Sequence, residues 1–229
     1  MRVHLDRTAG RGPRSLVKIQ ILALAVCLSC GLAAMHALAR AQDVSASAEP
    51  VYLNTAEGLK RLEDSRARHS YVTLSMYFET QETQTFCGVA SSTIILNALA
   101  PETSRPTGTK EWQPFGMYTQ TQFFTPKVEA IIKRENARIN GMTLDQLGAA
   151  LKSFPLGVTI SHANDSSAAA FRQQATDVLK SPDRLLIVNC DRQKVSQKGA
   201  GHFSPVAAYD EKTDSFLMFD VARYKYPPS

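Results

Sequence analysis

Three residues able to carry out acyl-transfer chemistry occur in the order Cys87, His202, Asp220. Cys87 opens an apolar run, CGVASSTIILNAL, whose length suits a buried helix more than a strand. A thiol at a helix N-terminus meets a partial positive charge and free N–H groups, which favour the nucleophilic thiolate. The same N–H groups can hold an oxyanion. The plainer alternative is a small apolar core residue, a common fate of free cysteine. His202 follows Gly199-Ala-Gly201, where missing side chains let the backbone approach closely, and precedes the strand-like Phe203-Ser-Pro205. One ring nitrogen there can face a cysteine and the other an orienting carboxylate. Asp220 interrupts the apolar stretch SFLMFDV, and a buried carboxylate needs a partner. His202 is the natural one. Gln81, in the ETQETQT segment ahead of Cys87, has an amide able to donate to an oxyanion, and Gln84 competes for that role.

Other residues read more simply. His69 and His162 belong on solvated surface, and Cys190 is expected buried and inert within a strand. Asp210 and Asp214 belong to a solvated turn. The sequence contains no phosphate-binding loop, dinucleotide fingerprint, H-E-x-x-H or G-x-S-x-G.

The elements that must position these residues follow from periodicity and caps. Residues 55–69 read as a charged helix, and residues 71–78 (YVTLSMYF) suggest an extended segment. Pro and Gly make residues 100–124 a loop. Thr125-Pro126 opens a helix to about residue 134, and Thr143-Leu-Asp-Gln146 is a capping box for another. Residues 156–161 are strand-like, and residues 165–180 helical. Strands are expected at 185–190, 203–209 and 215–221, with Pro205 indicating an edge or bulge. Antiparallel pairing of the last two, joined by a short turn, brings Asp220 toward His202. Helices first and antiparallel strands last make the fold class α+β.

Composition limits the function classes. The 229 residues are 44% hydrophobic and 21% charged, which suits a globular domain. Residues 1–41 read as a targeting leader: a basic segment with Arg2, Arg7, Arg11, Arg14 and Lys18, an apolar stretch, then Ala39-Arg40-Ala41 as a cleavage site. The alternative is an uncleaved N-terminal anchor. The leader carries the entire net charge of +5, and residues 42–229 balance 20 basic against 20 acidic side chains. Nucleic-acid binding is therefore not expected. Export places Cys87 and Cys190 in an oxidising compartment, where they can pair. Cys27 and Cys30 fall within the apolar leader.

Three motifs together resemble the phytochelatin synthase family. They are Phe78-Glu-Thr-Gln81 with Phe86-Cys87-Gly88-Val-Ala-Ser91 and Leu96-Asn-Ala-Leu99; Leu186-Ile-Val-Asn189 with Arg192 and Gly201-His202-Phe-Ser-Pro-Val-Ala-Ala-Tyr209; and Phe219-Asp220-Val-Ala-Arg-Tyr-Lys-Tyr-Pro-Pro228. The resemblance implies a papain-like cysteine peptidase fold with a Cys87–His202–Asp220 triad and Gln81 at the oxyanion. It implies that glutathione loses glycine through a γ-glutamylcysteinyl acyl-enzyme, which water or a second glutathione resolves. Arg223, Tyr224, Lys225 and Gly201 fall in segments beside the family's substrate site. No cofactor is required on this reading, although cadmium or zinc can enter as a glutathione thiolate, and a homodimer is compatible with it. Plant members carry a second, cysteine-rich domain. This sequence stops after Tyr226-Pro-Pro228 and resembles the short bacterial type, so hydrolysis ranks above synthesis. Two alternatives remain at this point: a papain-like peptidase of ordinary peptides, and a periplasmic protein binding metal through Cys87, His202 and Asp220.

Overall fold

The computed structural model describes residues 2–6, 49–107 and 113–229. The apolar stretch and cleavage motif expected for a leader, with Cys27 and Cys30, lie outside them.

Helices and an antiparallel sheet are combined, as an α+β class requires. The helices are α1 (Ala56–Asp64), α2 (His69–Tyr77), α3 (Cys87–Leu99), α4 (Pro126–Ile131), α5 (Arg134–Asn140), α6 (Leu144–Leu151) and α7 (Ala168–Leu179). The strands are β1 (Arg2–Asp6), β2 (Gly157–Ser161), β3 (Arg184–Asp191), β4 (Gly201–Asp210) and β5 (Ser215–Met218). Their order in the five-stranded sheet is β2-β1-β3-β4-β5.

Local chemistry starts the helices where caps predict. Thr55 accepts from the Gly58 N–H, Thr125 from Val128 with Pro126 at the first turn, and Thr143 and Gln146 complete their capping box. β3 has apolar residues on consecutive positions because both faces of the sheet are covered. Leu185 and Ile187 pack with α3 and α6 in the larger core, while Leu186 and Val188 pack with Ala175, Val178 and Leu179 of α7. Every residue of α3 is buried. Its polar residues survive there by internal bonding: Ser92 and Thr93 donate to Gly88 O and Val89 O, and Asn97 bonds the Tyr118 backbone twice at 2.8 Å.

Several expectations are corrected. Residues 71–78 are mostly helical, in α2, because Ser70 and Leu74 lie one turn apart and bury a face against α3 and β4. The helix after Thr125 divides at Ile132–Lys133 into α4 and α5, and α5 stops at Gly141, whose φ of +72° suits glycine. Pro205 is not on an edge strand: β4 is interior, and the irregularity falls beside Pro205, between Val206 and Ala208 opposite β5. β5 ends at Met218, so Asp220 sits just past the strand. The sheet is also not purely C-terminal. β1, from the basic segment expected to belong to a leader, pairs antiparallel with both neighbours, Val3 opposite Ile160 of β2 and Ile187 of β3.

Candidate active site

The β4–β5 hairpin and α3 carry the site together. β4 packs against α3, where the Ser91 hydroxyl donates to Phe203 O at 3.3 Å. Gly88 permits this approach, since a Cβ there would come within 3.3 Å of Phe203 Cδ2. The start of β4 therefore lies against the first turn of α3. The helix ladder begins with Ala90 N–H on Phe86 O at 2.8 Å. Earlier N–H groups in the turn point out of the helix end, beside Cys87.

His202 Nε2 lies 2.8 Å from Asp220 Oδ1. The other ring nitrogen, Nδ1, is thereby left for Cys87, which lies close enough for thiol and imidazole to shift one another's protonation. Cys87, His202 and Asp220 are all buried. Burial pushes the Cys87 thiol up, but the bond and charge of His202 outweigh it, aided by the Phe203 and Gly88 backbone. The net direction is down, toward thiolate. Burial pushes the His202 imidazole down, and the bonds to Asp220 and Cys87 reverse this, for a net rise above 6.5. A lowered thiol beside a raised imidazole favours the thiolate–imidazolium pair. Asp220 is held at about 2: burial opposes ionisation, and its bonds to His202 and Arg192 overcome that.

Arg192, part of the family-like motif, completes the site. It follows β3, is 4% exposed and spans the carboxylate, with Nη2 2.9 Å from Oδ1 and Nη1 2.8 Å from Oδ2. The Ala222 N–H also donates to Oδ1, at 2.8 Å. A signal for Arg192 did exist: a basic residue at the end of an apolar strand, in the loop leading to the histidine.

The remaining sequence-based candidates divide. Gln81 and Tyr224 come together, with Gln81 Nε2 donating to Thr83 O at 2.7 Å and to Tyr224 Oη at 3.1 Å. Gln81 Oε1 is buried without a partner. Arg223 stacks over the Phe78 ring at 5.1 Å, and Lys225 Nζ donates to Lys198 O at 2.6 Å. Gly201 is exposed beside the Asn189 amide, which a Cβ would meet at 3.2 Å.

Cys190 is half-buried rather than buried; it pairs across from His202, and burial pushes its thiol up. It and Cys87 are both free thiols. His69 is an exposed helix start, and His162 pairs with Asp145 at 2.9 Å on the surface. Asp210 is 4% exposed, not solvated, because it caps the turn by accepting from Lys212 N–H and the Thr213 hydroxyl. A metal site built on the three triad residues has little chemical support, since both Asp220 oxygens already face Arg192.

Comparison with known proteins adds the remaining finding. A family profile described as phytochelatin synthase matches residues 41–229. That span begins at Ala41 and leaves β1 outside it. A protein named glutathione gamma-glutamylcysteinyltransferase 3 from Lotus japonicus is 31% identical over 156 residues, covering 68% of this chain and 30% of its own length. One named glutathione gamma-glutamylcysteinyltransferase 1 from Triticum aestivum is 32% identical over 166 residues, 69% of this chain and 30% of its own. The glutathione gamma-glutamylcysteinyltransferase of Schizosaccharomyces pombe is 25% identical over 169 residues, 74% of this chain and 38% of its own. The chain thus spans well under half the length of these relatives.

Proposed function

The chain belongs to the phytochelatin synthase family, and from that premise we propose that it is a cysteine-nucleophile enzyme that removes glycine from glutathione. One observation carries the reading: the buried His202–Asp220 hydrogen bond, with Cys87 beside the imidazole at the N-terminus of α3. A papain-like fold is part of the proposal, supported by a helix bearing the cysteine packed against a sheet bearing the histidine.

In this mechanism His202 Nδ1 takes the Cys87 proton and the thiolate attacks the Cys–Gly carbonyl of glutathione. The Cys87 N–H faces the oxyanion. Gln81 joins it when the substrate oxygen replaces Tyr224 Oη, the more distant of its two acceptors. Asp220 steadies the imidazolium. Collapse of the tetrahedral species gives its electron pair to the glycine nitrogen, which takes the proton from His202. The γ-glutamylcysteinyl thioester on Cys87 is then cleaved by water or by the amine of a second glutathione. A heavy-metal ion enters as the thiolate of glutathione, and so as substrate. Incubation with glutathione, with and without cadmium, followed by product masses, tests this. Glycine release is expected from the intact chain and none from Cys87→Ala. Full activity in Cys87→Ala would sink the assignment.

Export through residues 1–41 is the companion proposal, and it has a physical consequence. Cleavage after Ala41 would withdraw β1 and leave β2 and β3 with unpaired edges, a state that invites other strands. The mass of the N-terminus of exported protein decides between these states. An intact terminus goes with β1 in place.

A further inference from the structure

Burying a guanidinium and a carboxylate together costs several kcal/mol per ion before their attraction is counted, and such pairs are often no more stable than apolar replacements. Stability alone is thus a weak reason for the Arg192–Asp220 pair. The chain nevertheless builds a housing for it. Arg192 Nη1 also bonds Gln197 Oε1, and the guanidinium lies 5.0 Å from the centre of the Tyr226 ring. Gly199, at φ +131°, leaves space for it, since a Cβ there would come within 3.0 Å of Arg192 Cδ.

We propose that Arg192 is a positioning residue which, through Asp220, fixes the His202 imidazole and sets the pH range over which Cys87 is a thiolate. The inference rests on the active-site reading above. Its first part is geometric. The planar fork meets both carboxylate oxygens, so Asp220 cannot rotate away from His202 Nε2. Its second part is electrostatic. A fixed cation just behind Asp220 opposes a second positive charge on His202 and favours negative charge on Cys87. His202 is faced by Asp220, by Cys87 from α3 and by Cys190 from β3. Arg192 faces Asp220, Cys190 and Tyr226, and Lys225 Nζ approaches the same Gly199 position at 3.7 Å. Removing the Arg192 charge therefore raises the tendency of both His202 and Cys87 to hold protons, so both limbs of the pH profile move upward.

The test uses the full chain in a Cys27→Ser, Cys30→Ser, Cys190→Ser background, so that Cys87 is the remaining thiol. The rate of Cys87 alkylation by iodoacetamide is followed against pH, beside kcat and KM for glycine release. Glu79, which burial lifts to about 7, titrates in every variant, so the readout is the difference between variants. In Arg192→Gln the alkylation midpoint should rise by roughly one unit, and kcat should fall about 100-fold with KM little changed. Arg192→Lys should restore the midpoint but only part of kcat, because an ammonium cannot span both oxygens. A wild-type midpoint in folded Arg192→Gln overturns the inference. If that variant does not fold, Arg192→Lys carries the test, and an unchanged kcat there overturns it. Alkylation needs no glutathione. A wild-type chain that releases no glycine therefore refutes the proposed function and leaves the alkylation result interpretable.

Discussion

The two ends of the β4–β5 hairpin carry the same chemical set in opposite surroundings. At the turn, Asp214 accepts from Arg172 Nε and Nη2, each at 2.5 Å, and from the Tyr209 hydroxyl at 2.7 Å. At the far end, Asp220 meets Arg192, with the Tyr226 ring stacked on the guanidinium. The Arg172 and Asp214 side chains are 41% and 52% exposed, whereas Arg192 and Asp220 are 5% and 6% exposed. Water screens the first pair, and its geometry has few consequences. The second pair is shielded, joined to an imidazole and thus to a thiol. Residue type does not separate the two ends; burial and a third partner do.

The sharpest way to break the comparison is to substitute both aspartates alike. Asp220→Asn should lower glycine release by on the order of 10³–10⁴-fold, since an amide cannot accept from His202 and Arg192 as a carboxylate does. Asp214→Asn should leave activity unchanged. In chemical denaturation, Asp220→Ala should cost about 3–5 kcal/mol by leaving Arg192 buried and unpaired. Asp214→Ala should cost less than about 1 kcal/mol. Equal effects at the two ends would end the contrast.

A smaller effect lies in the acid range. The folded-state pKa of Asp220 is depressed from 3.8 to about 2, so its stabilisation is fully present above about pH 4 and is lost as pH falls through about 2. The loss is on the order of 2 kcal/mol. Denaturation midpoints between pH 5 and 2 should fall more steeply in the wild type than in Asp220→Asn, where the residual slope belongs to Asp214, Asp64 and Glu135, whose carboxyls are also held low by their cationic partners. An equal slope in the wild type and Asp220→Asn would assign it to those other carboxylates.

Much of the frame was legible along the chain. Thr125-Pro126 and the Thr143–Gln146 box started helices where expected, because caps act over one turn. The run LLIVNC was strand, with alternate residues facing two cores. The hairpin placed Asp220 by His202 through a short turn, a local constraint. Failures came where distant contacts decided. Residues 71–78 have strand-like composition and became helix because α3 and β4 supplied a surface for Ser70 and Leu74. β1 could not be inferred from its own pattern, which reads as the basic part of a leader; its place comes from hydrogen bonds to β2 and β3.

The candidate site divides in the same way. The sequence by itself determined the proposed nucleophile, base and carboxylate as residue types, and the order in which local elements present them. Tertiary structure alone decided that Asp220 is shared between His202 and Arg192, which lies 28 residues away in the chain. It also decided that both donors of Gln81 are engaged, one of them by Tyr224. Periodicity and caps act over a few residues. The protonation of a buried triad is set by which charges meet across the closed core, and that depends on the packing of the whole fold.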